Sequence, residues 1–154
     1  MGRIARRFLR STSGQGLVEF ALVMPVVLFL VFGVFEFGRY YYTRLTLQHA
    51  VAEAARFAVT GNVLPDSLGN PLSRAESIRR VIASSASTLN VDVDRILLSP
   101  EDGGGPGDIV QVSAVFTFRF VAPGWSQLAR AGIADIYAST AMKNESFIPT
   151  GGSR

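Results

Sequence analysis

The sequence predicts an α+β protein, a long N-terminal transmembrane helix extending into a small extracytoplasmic domain with a second helix and a three-stranded antiparallel sheet. Three observations predict it. Leu17 to Phe35 is almost wholly apolar, Glu36 to Val59 keeps helix-forming character, and Ile109 to Val121 alternates with the two-residue period of a strand.

The chain length sets the scale of this plan. Its 154 residues leave room for one membrane segment and one modest domain, not for a two-domain enzyme. Hydrophobic residues make up 48% of the chain, too many for a water-soluble surface unless they are concentrated in one place. There is no cysteine, which excludes disulfides, cysteine-ligated zinc and a thiol nucleophile. The formal charge of +3 comes from Arg3, Arg6, Arg7 and Arg10, all ahead of the apolar run. Without residues 1–14 there are 11 basic against 12 acidic residues, so no nucleic-acid footprint is expected.

The first element is the run LVEFALVMPVVLFLVFGVF, Leu17 to Phe35, with Glu19 as its only charge. It approaches the roughly 20 apolar residues a helix needs to cross a bilayer. A core helix of a soluble domain would show a polar stripe here, and none is present. Four arginines before the run and Glu36 after it place the N-terminus in the cytoplasm, a bias that Arg39 and Arg44 weaken without reversing. Phe35-Glu36-Phe37-Gly38-Arg39 offers no small-x-small signal-peptidase site, so the helix is expected to stay attached. Pro25 removes one backbone donor, which predicts a local kink, and Gly33 offers a second soft point.

Gly14-Gln15-Gly16-Leu17-Val18-Glu19-Phe20 sets a glycine five residues before a glutamate, where a basic leader meets an apolar helix. A carboxylate within an apolar helix costs about 2.5 to 3.5 kcal/mol at the bilayer centre and usually has a partner. A newly freed α-amine could be that partner. Alternatively, Glu19 sits in the first helical turn near the headgroups, where the helix dipole favours an anion. Spacing alone leaves both readings open.

This segment resembles the processing site of type IV prepilins, most closely the Tad/Flp branch. The longer pattern, Gly14 through Pro25, then Glu36-Phe37-Gly38-Arg39, Ala54-Ala55-Arg56-Phe57-Ala58 and, near the far end, Ala141-Met142-Lys143-Asn144-Glu145, is similar to the TadE-like family of minor pilins. The resemblance implies a pilin-like fold and cleavage by a prepilin peptidase between Gly14 and Gln15. Glu19 then becomes the fifth residue of the mature chain, with Phe20 as the aromatic that follows it, and pairs with a neighbouring subunit's N-terminus. Gly16 departs from the pattern, where alanine or serine is commoner; cleavage after it would leave Glu19 third, which does not fit.

Beyond the membrane, Phe37, Tyr41, Leu45, Ala52 and Ala55 are expected near one face of the continuing helix, with Gly61-Asn62 as its stop. The small residues Ala50, Ala52, Ala54, Ala55 and Ala58 allow close approach of the chain's own sheet or of another subunit. Tyr40, Tyr41 and Tyr42 suit the headgroup layer, or the core at the helix base. Residues 62–72 read as a loop. Ser73-Arg74-Ala75-Glu76 is a capping box opening a helix through about Leu89, with Ile78, Val81, Ile82 and Leu89 inward. Val91 to Leu98 is β-rich, and in Ile109 to Val121 the residues Val110, Val112, Ala114, Phe116, Phe118 and Phe120 share one face opposite Gln111, Ser113, Thr117 and Arg119. Ile133 to Met142 supplies the third strand of a meander that a helix can cover.

Other chemistry finds no support. Glu101 to Asp108 is glycine-rich but lacks the Lys-Ser or Lys-Thr of a phosphate loop and reads as a long hairpin loop. Asp92, Asp94, Glu101, Asp102 and Asp108 lack calcium-loop spacing. His49 is the only histidine and lies among alanines; no nucleophile motif accompanies it. Neither catalysis, nor a cofactor, nor a metal is expected. Trp125 fits either a hydrophobic plug or an exposed contact.

The expected organisation is a leader at 1–14, a transmembrane helix at 15–35, its extracytoplasmic extension at 36–61, an α+β domain at 62–146 and a tail at 147–154. The expected role is that of a minor pilin or pseudopilin in assembly of a Tad-type adhesive pilus, packing through Glu19 and Pro25. Its implied partners are membrane lipid, a prepilin peptidase, other pilins and the assembly platform. An uncleaved, membrane-anchored binding module of the cell envelope is the alternative.

Overall fold

A computed structural model of the chain describes residues 12–122, 124 and 132–146. The greater part of the leader, Trp125 and the tail at 147–154 lie outside the described residues. The observed class is α+β, as expected: two helices, a short 3-10 turn and a three-stranded antiparallel sheet.

Helix α1 spans Thr12–Val59 and is continuous through Pro25. No helix breaker but that proline interrupts its hydrogen-bond ladder, and an apolar environment would favour internal hydrogen bonds over any alternative. It stops where Gly61 takes a left-handed φ of 69° and its N–H donates to Ala58 O at 3.1 Å, a glycine terminator of the expected kind.

The described chain divides into two compact units. One holds the chain up to Gly38 together with Phe120–Gly132; the other holds Arg39–Arg119 and the chain from Ile133 onward. In the first, Leu17 to Phe35 is exposed at every position but Gly33, and Glu36 is buried.

In the second unit, α1 contributes Thr43, Leu47, Ala50, Val51, Ala54, Ala55 and Ala58 as a buried stripe. Full burial of a side chain such as Leu47 contributes about 1.5 to 3 kcal/mol. This corrects the expected face. Phe37, Tyr41 and Leu45 are exposed, and Ala52 is half-buried. The helix turns its small and medium side chains to its own sheet because a close-packed core leaves room for methyl groups there, while the large ones face outward. The three tyrosines divide in the same way: Tyr41 and Tyr42 are exposed, but the Tyr40 ring meets Phe118 edge-on at 5.6 Å. Phe118 also carries the Arg39 guanidinium 5.2 Å above its ring, a cation–π contact.

Residues 62–72 form a turn closed by a Pro65–Pro71 bridge. Asp66 organises it, its Oδ1 accepting from Leu68 N and Asn70 N at 2.8 Å each. The backbone N–H of Asn70, then that of Leu68, holds this carboxyl below its ordinary value.

Helix α2 spans Arg74–Ser85 and is capped by Ser73, whose hydroxyl accepts from Glu76 N at 3.2 Å. Glu76 pairs with Arg80 at 3.4 Å. The helix ends earlier than Leu89 because Ala86 N is shared between Ile82 O and Ser84 O, tightening the last turn. Ile78 and Ile82 are fully buried; Val81 and Leu89 are half-buried.

Of the β-rich stretch Val91 to Leu98, only the latter part is strand. Asp92 caps a 3-10 turn at Val93–Arg95, and β1 is Ile96–Ser99. An aspartate followed by a free backbone N–H two residues on prefers this local turn to a ladder. Strand β2 is Ile109–Arg119 and β3 is Ile133–Lys143, in sheet order β1-β2-β3. Ala114 faces Ile96 on one side and Ala138 on the other. Val110, Val112, Ala114 and Phe118 point into the core with Ile136 and Ala138 of β3, and Phe116 is half-buried on the same side.

A knot of polar contacts ties the far end of β3 to the β1–β2 loop. Asn144 Nδ2 donates to Gly105 O at 2.8 Å and Gly103 O at 3.3 Å. Gly103 and Gly104 have φ of 89° and 67°. A Cβ on Gly104 would stand 3.2 Å from Asp108 Cβ and 3.3 Å from Val110 Cγ2, so this loop requires glycine for its conformation and its closeness.

Candidate assembly helix and processing boundary

The residues singled out by sequence all fall on the first turns of α1. Gly14 and Gln15 lie inside the helix, which begins at Thr12, so the peptide bond expected to be cut is helical. A Cβ on Gly14 or Gly16 would meet nothing within 4 Å. Among the described residues nothing packs closely on these glycines. What they do is weaken the first turns, since each glycine lowers helix propensity by about 1 kcal/mol relative to alanine.

Two of the residues are brought together. Gln15 Nε2 donates to Glu19 Oε1 at 3.0 Å, across one helical turn. The carboxylate thus has a partner on its own chain, with its side exposed like those of Leu17, Val18, Phe20 and Leu22 around it. Phe20 and Pro25 are exposed too and make no shared site with Glu19. The surface here is apolar, broken by one acceptor that keeps lone pairs for a further donor.

In the sequence Glu36 enters only the charge bias across the apolar run and a family motif, with no packing role. The structure buries it to 3% exposure, with Oε1 accepting from Val121 N at 2.8 Å and Ala122 N at 2.6 Å. The available signal was a carboxylate at the exit of an apolar run; its partners, 85 and 86 residues away, were not visible.

His49 is exposed, with Nε2 4.0 Å from Glu53 Oε2, and Glu53 also accepts from Ser85 Oγ at 2.7 Å. Asp92, Asp102 and Asp108 each accept a nearby backbone N–H of their own loop, from Asp94, Gly104 and Gly105. Among the described residues no group of three or more His, Asp or Glu is placed to hold a metal.

These features define a class: a chain with one N-terminal helix long and apolar enough to cross a membrane, continued into a small α+β unit. Residues 14–56 match the family model described as TadE-like protein. Over that stretch the chain is similar to that family, in line with the resemblance read from the sequence. The likeness at Ala141–Glu145 lies beyond the matched residues. Searches of curated proteins and of solved structures returned no match.

Proposed function

We propose that the protein is a minor pilin or pseudopilin of a Tad-type pilus, anchored by α1 in the cytoplasmic membrane with its N-terminus inside, and that it takes part in pilus assembly through that helix. The observation that carries this reading is the bare first half of α1. Across Leu17 to Phe35 its own chain buries only Gly33, so lipid or other apolar helices must cover the rest, at about 25 cal/mol for each Å² removed from water.

Cleavage between Gly14 and Gln15 by a prepilin peptidase exposes an α-amine one turn from Glu19. A neighbour's amine then supplies the donor that the Glu19 carboxylate can still accept, setting the register between subunits, while Pro25 shapes the bend of the packed helix. The glycines at 14 and 16 favour the reaction because a peptidase needs the first turn of α1 unwound. The protein acts by assembly, with pilins and the platform as partners, and not as an enzyme.

The Gln15–Glu19 hydrogen bond favours a second reading: with the carboxylate satisfied within its own chain, an uncleaved membrane-anchored binding module needs no neighbour. N-terminal sequencing and intact mass of protein from its native membrane separate the two. A chain beginning at Gln15 is expected; a chain beginning at Met1 or Gly2 would overturn processing and favour the binding module. Glu19→Ala is expected to abolish or strongly reduce piliation while membrane insertion is retained, and normal piliation would count against the assembly role.

A further inference from the structure

After β2, the described residues Val121, Ala122 and Gly124 touch α1. Glu36 holds Val121 N and Ala122 N, as above. Gly124, with φ of 84°, lies against the Phe29 ring: a Cβ there would be 3.6 Å from Phe29 Cε2 and 3.7 Å from Cδ2. Phe29, Gly33 and Glu36 share one helix face by their spacing, and Gly33 is the buried member of the apolar run. From Glu36, just past that run, to Phe29 within it, the helix axis covers about 10 Å.

Irregular backbone is tolerated at membrane depth only where its polar groups are satisfied within the protein. The described donors from Phe120 to Ala122 meet this condition. Phe120 N donates to Gly132 O at 3.0 Å, Val121 N and Ala122 N donate to Glu36, and Pro123 has no N–H to satisfy. No residue from Phe120 to Trp125 is charged. Val121 is 72% exposed, an apolar side chain that the described residues leave uncovered.

We propose that Phe120–Ala122 and Gly124 form a second membrane contact: a wedge seated beside α1 in the outer leaflet, with the upper acyl chains of phospholipid as its partner and Glu36 as the residue that makes the backbone of Val121 and Ala122 compatible with lipid. The proposal rests on α1 crossing the bilayer. Its continuity with the exposed apolar surface of α1 selects lipid as the occupant.

Trp125, one peptide bond beyond Gly124, is the chain's single tryptophan, so its fluorescence reports this place without labelling. The full-length protein is reconstituted into phosphatidylcholine–phosphatidylglycerol vesicles and first shown by flotation in alkaline carbonate to be integrated. Lipids brominated near the headgroup end of the chain are expected to quench Trp125 roughly twofold, well beyond lipids brominated near the terminal methyl, as suits an interfacial aromatic; aqueous iodide is expected to quench little.

Strong iodide quenching with no response to brominated lipid, in integrated protein, would overturn the wedge while leaving the anchor in place. Failure to float would overturn the anchor, and the wedge with it. A nitroxide on Val121→Cys, in a chain without other cysteines, provides a second measurement: greater accessibility to oxygen than to a water-soluble nickel reagent is expected, and the reverse contradicts the proposal. Glu36→Leu should shift Trp125 towards iodide, and Glu36→Gln, which keeps the accepting oxygen, should restore lipid quenching; identical quenching in all three proteins would remove Glu36 from the argument.

Discussion

Arg74 shows how one side chain can join parts of a fold that local sequence keeps apart. Its Nη1 donates to Gly104 O at 2.6 Å and its Nη2 to Ala58 O at 2.5 Å, linking the end of α1, the start of α2 and the glycine loop. Burial lowers its pKa, and the charges of Asp102 and Asp108 oppose that shift. Because hydrogen bonds from a charged group contribute about 1.5 to 3 kcal/mol, Arg74→Met is expected to destabilise the unit from Arg39 onward by about 2 to 4 kcal/mol, read as a lowered urea midpoint. Arg74→Lys, a single point donor in place of a fork, should recover less than half of the loss; full recovery would show that charge alone matters here. By sequence alone Arg74 is only a member of a capping box. Its partners lie 16 and 30 residues away, a distance that periodicity cannot reach. The Ser73 cap was legible because its donor, Glu76 N, lies within a single turn.

At the scale of elements, α1 separates what pattern can and cannot reveal. Its existence followed from uninterrupted apolar sequence, and the strand β2 from strict alternation, which needs no knowledge of the partner. Beyond the apolar run of α1 the sequence places Phe37, Tyr41, Leu45, Ala52 and Ala55 near one face, and of these only Ala55 is buried. The buried stripe is Thr43, Leu47, Ala50, Val51, Ala54, Ala55 and Ala58, where mostly small side chains let the backbone approach the core. Leu47→Ala is therefore expected to destabilise the protein by about 2 to 4 kcal/mol. Leu45→Ala, at a residue 60% exposed, should change stability by less than about 0.5 kcal/mol. Equal losses in paired urea titrations would refute the assigned face. The shortness of β1 was equally hidden: Asp92 accepts from Asp94 N, and a local turn took residues that composition had given to the strand.

At the scale of the whole molecule, the two units differ in what holds them. The helix up to Phe35 buries almost none of its side chains in the chain itself, whereas the unit from Arg39 onward has a core drawn from both helices and all three strands. Urea is thus expected to melt the sheet and α2 in detergent or lipid while the apolar half of α1 keeps its helicity, since lipid leaves its backbone no competing partner. Circular dichroism would show a residual helical signal after the near-ultraviolet signal of the tyrosines is lost; simultaneous loss of both would mean one cooperative body. Of the proposed site, the sequence made legible the group that lies within a few residues, Gly14, Gln15 and Glu19. It could not show the Glu36 clasp, whose strength depends on the rest of the fold being built.

That clasp also fixes an order in time. The carboxylate at position 36 leaves the ribosome some 85 residues before the amides of Val121 and Ala122, so the anchor can enter the bilayer while most of the sheet has yet to be synthesised. Commitment to the membrane and completion of the fold become separate events in the life of one chain, and the closing of Val121 and Ala122 onto Glu36 marks the second.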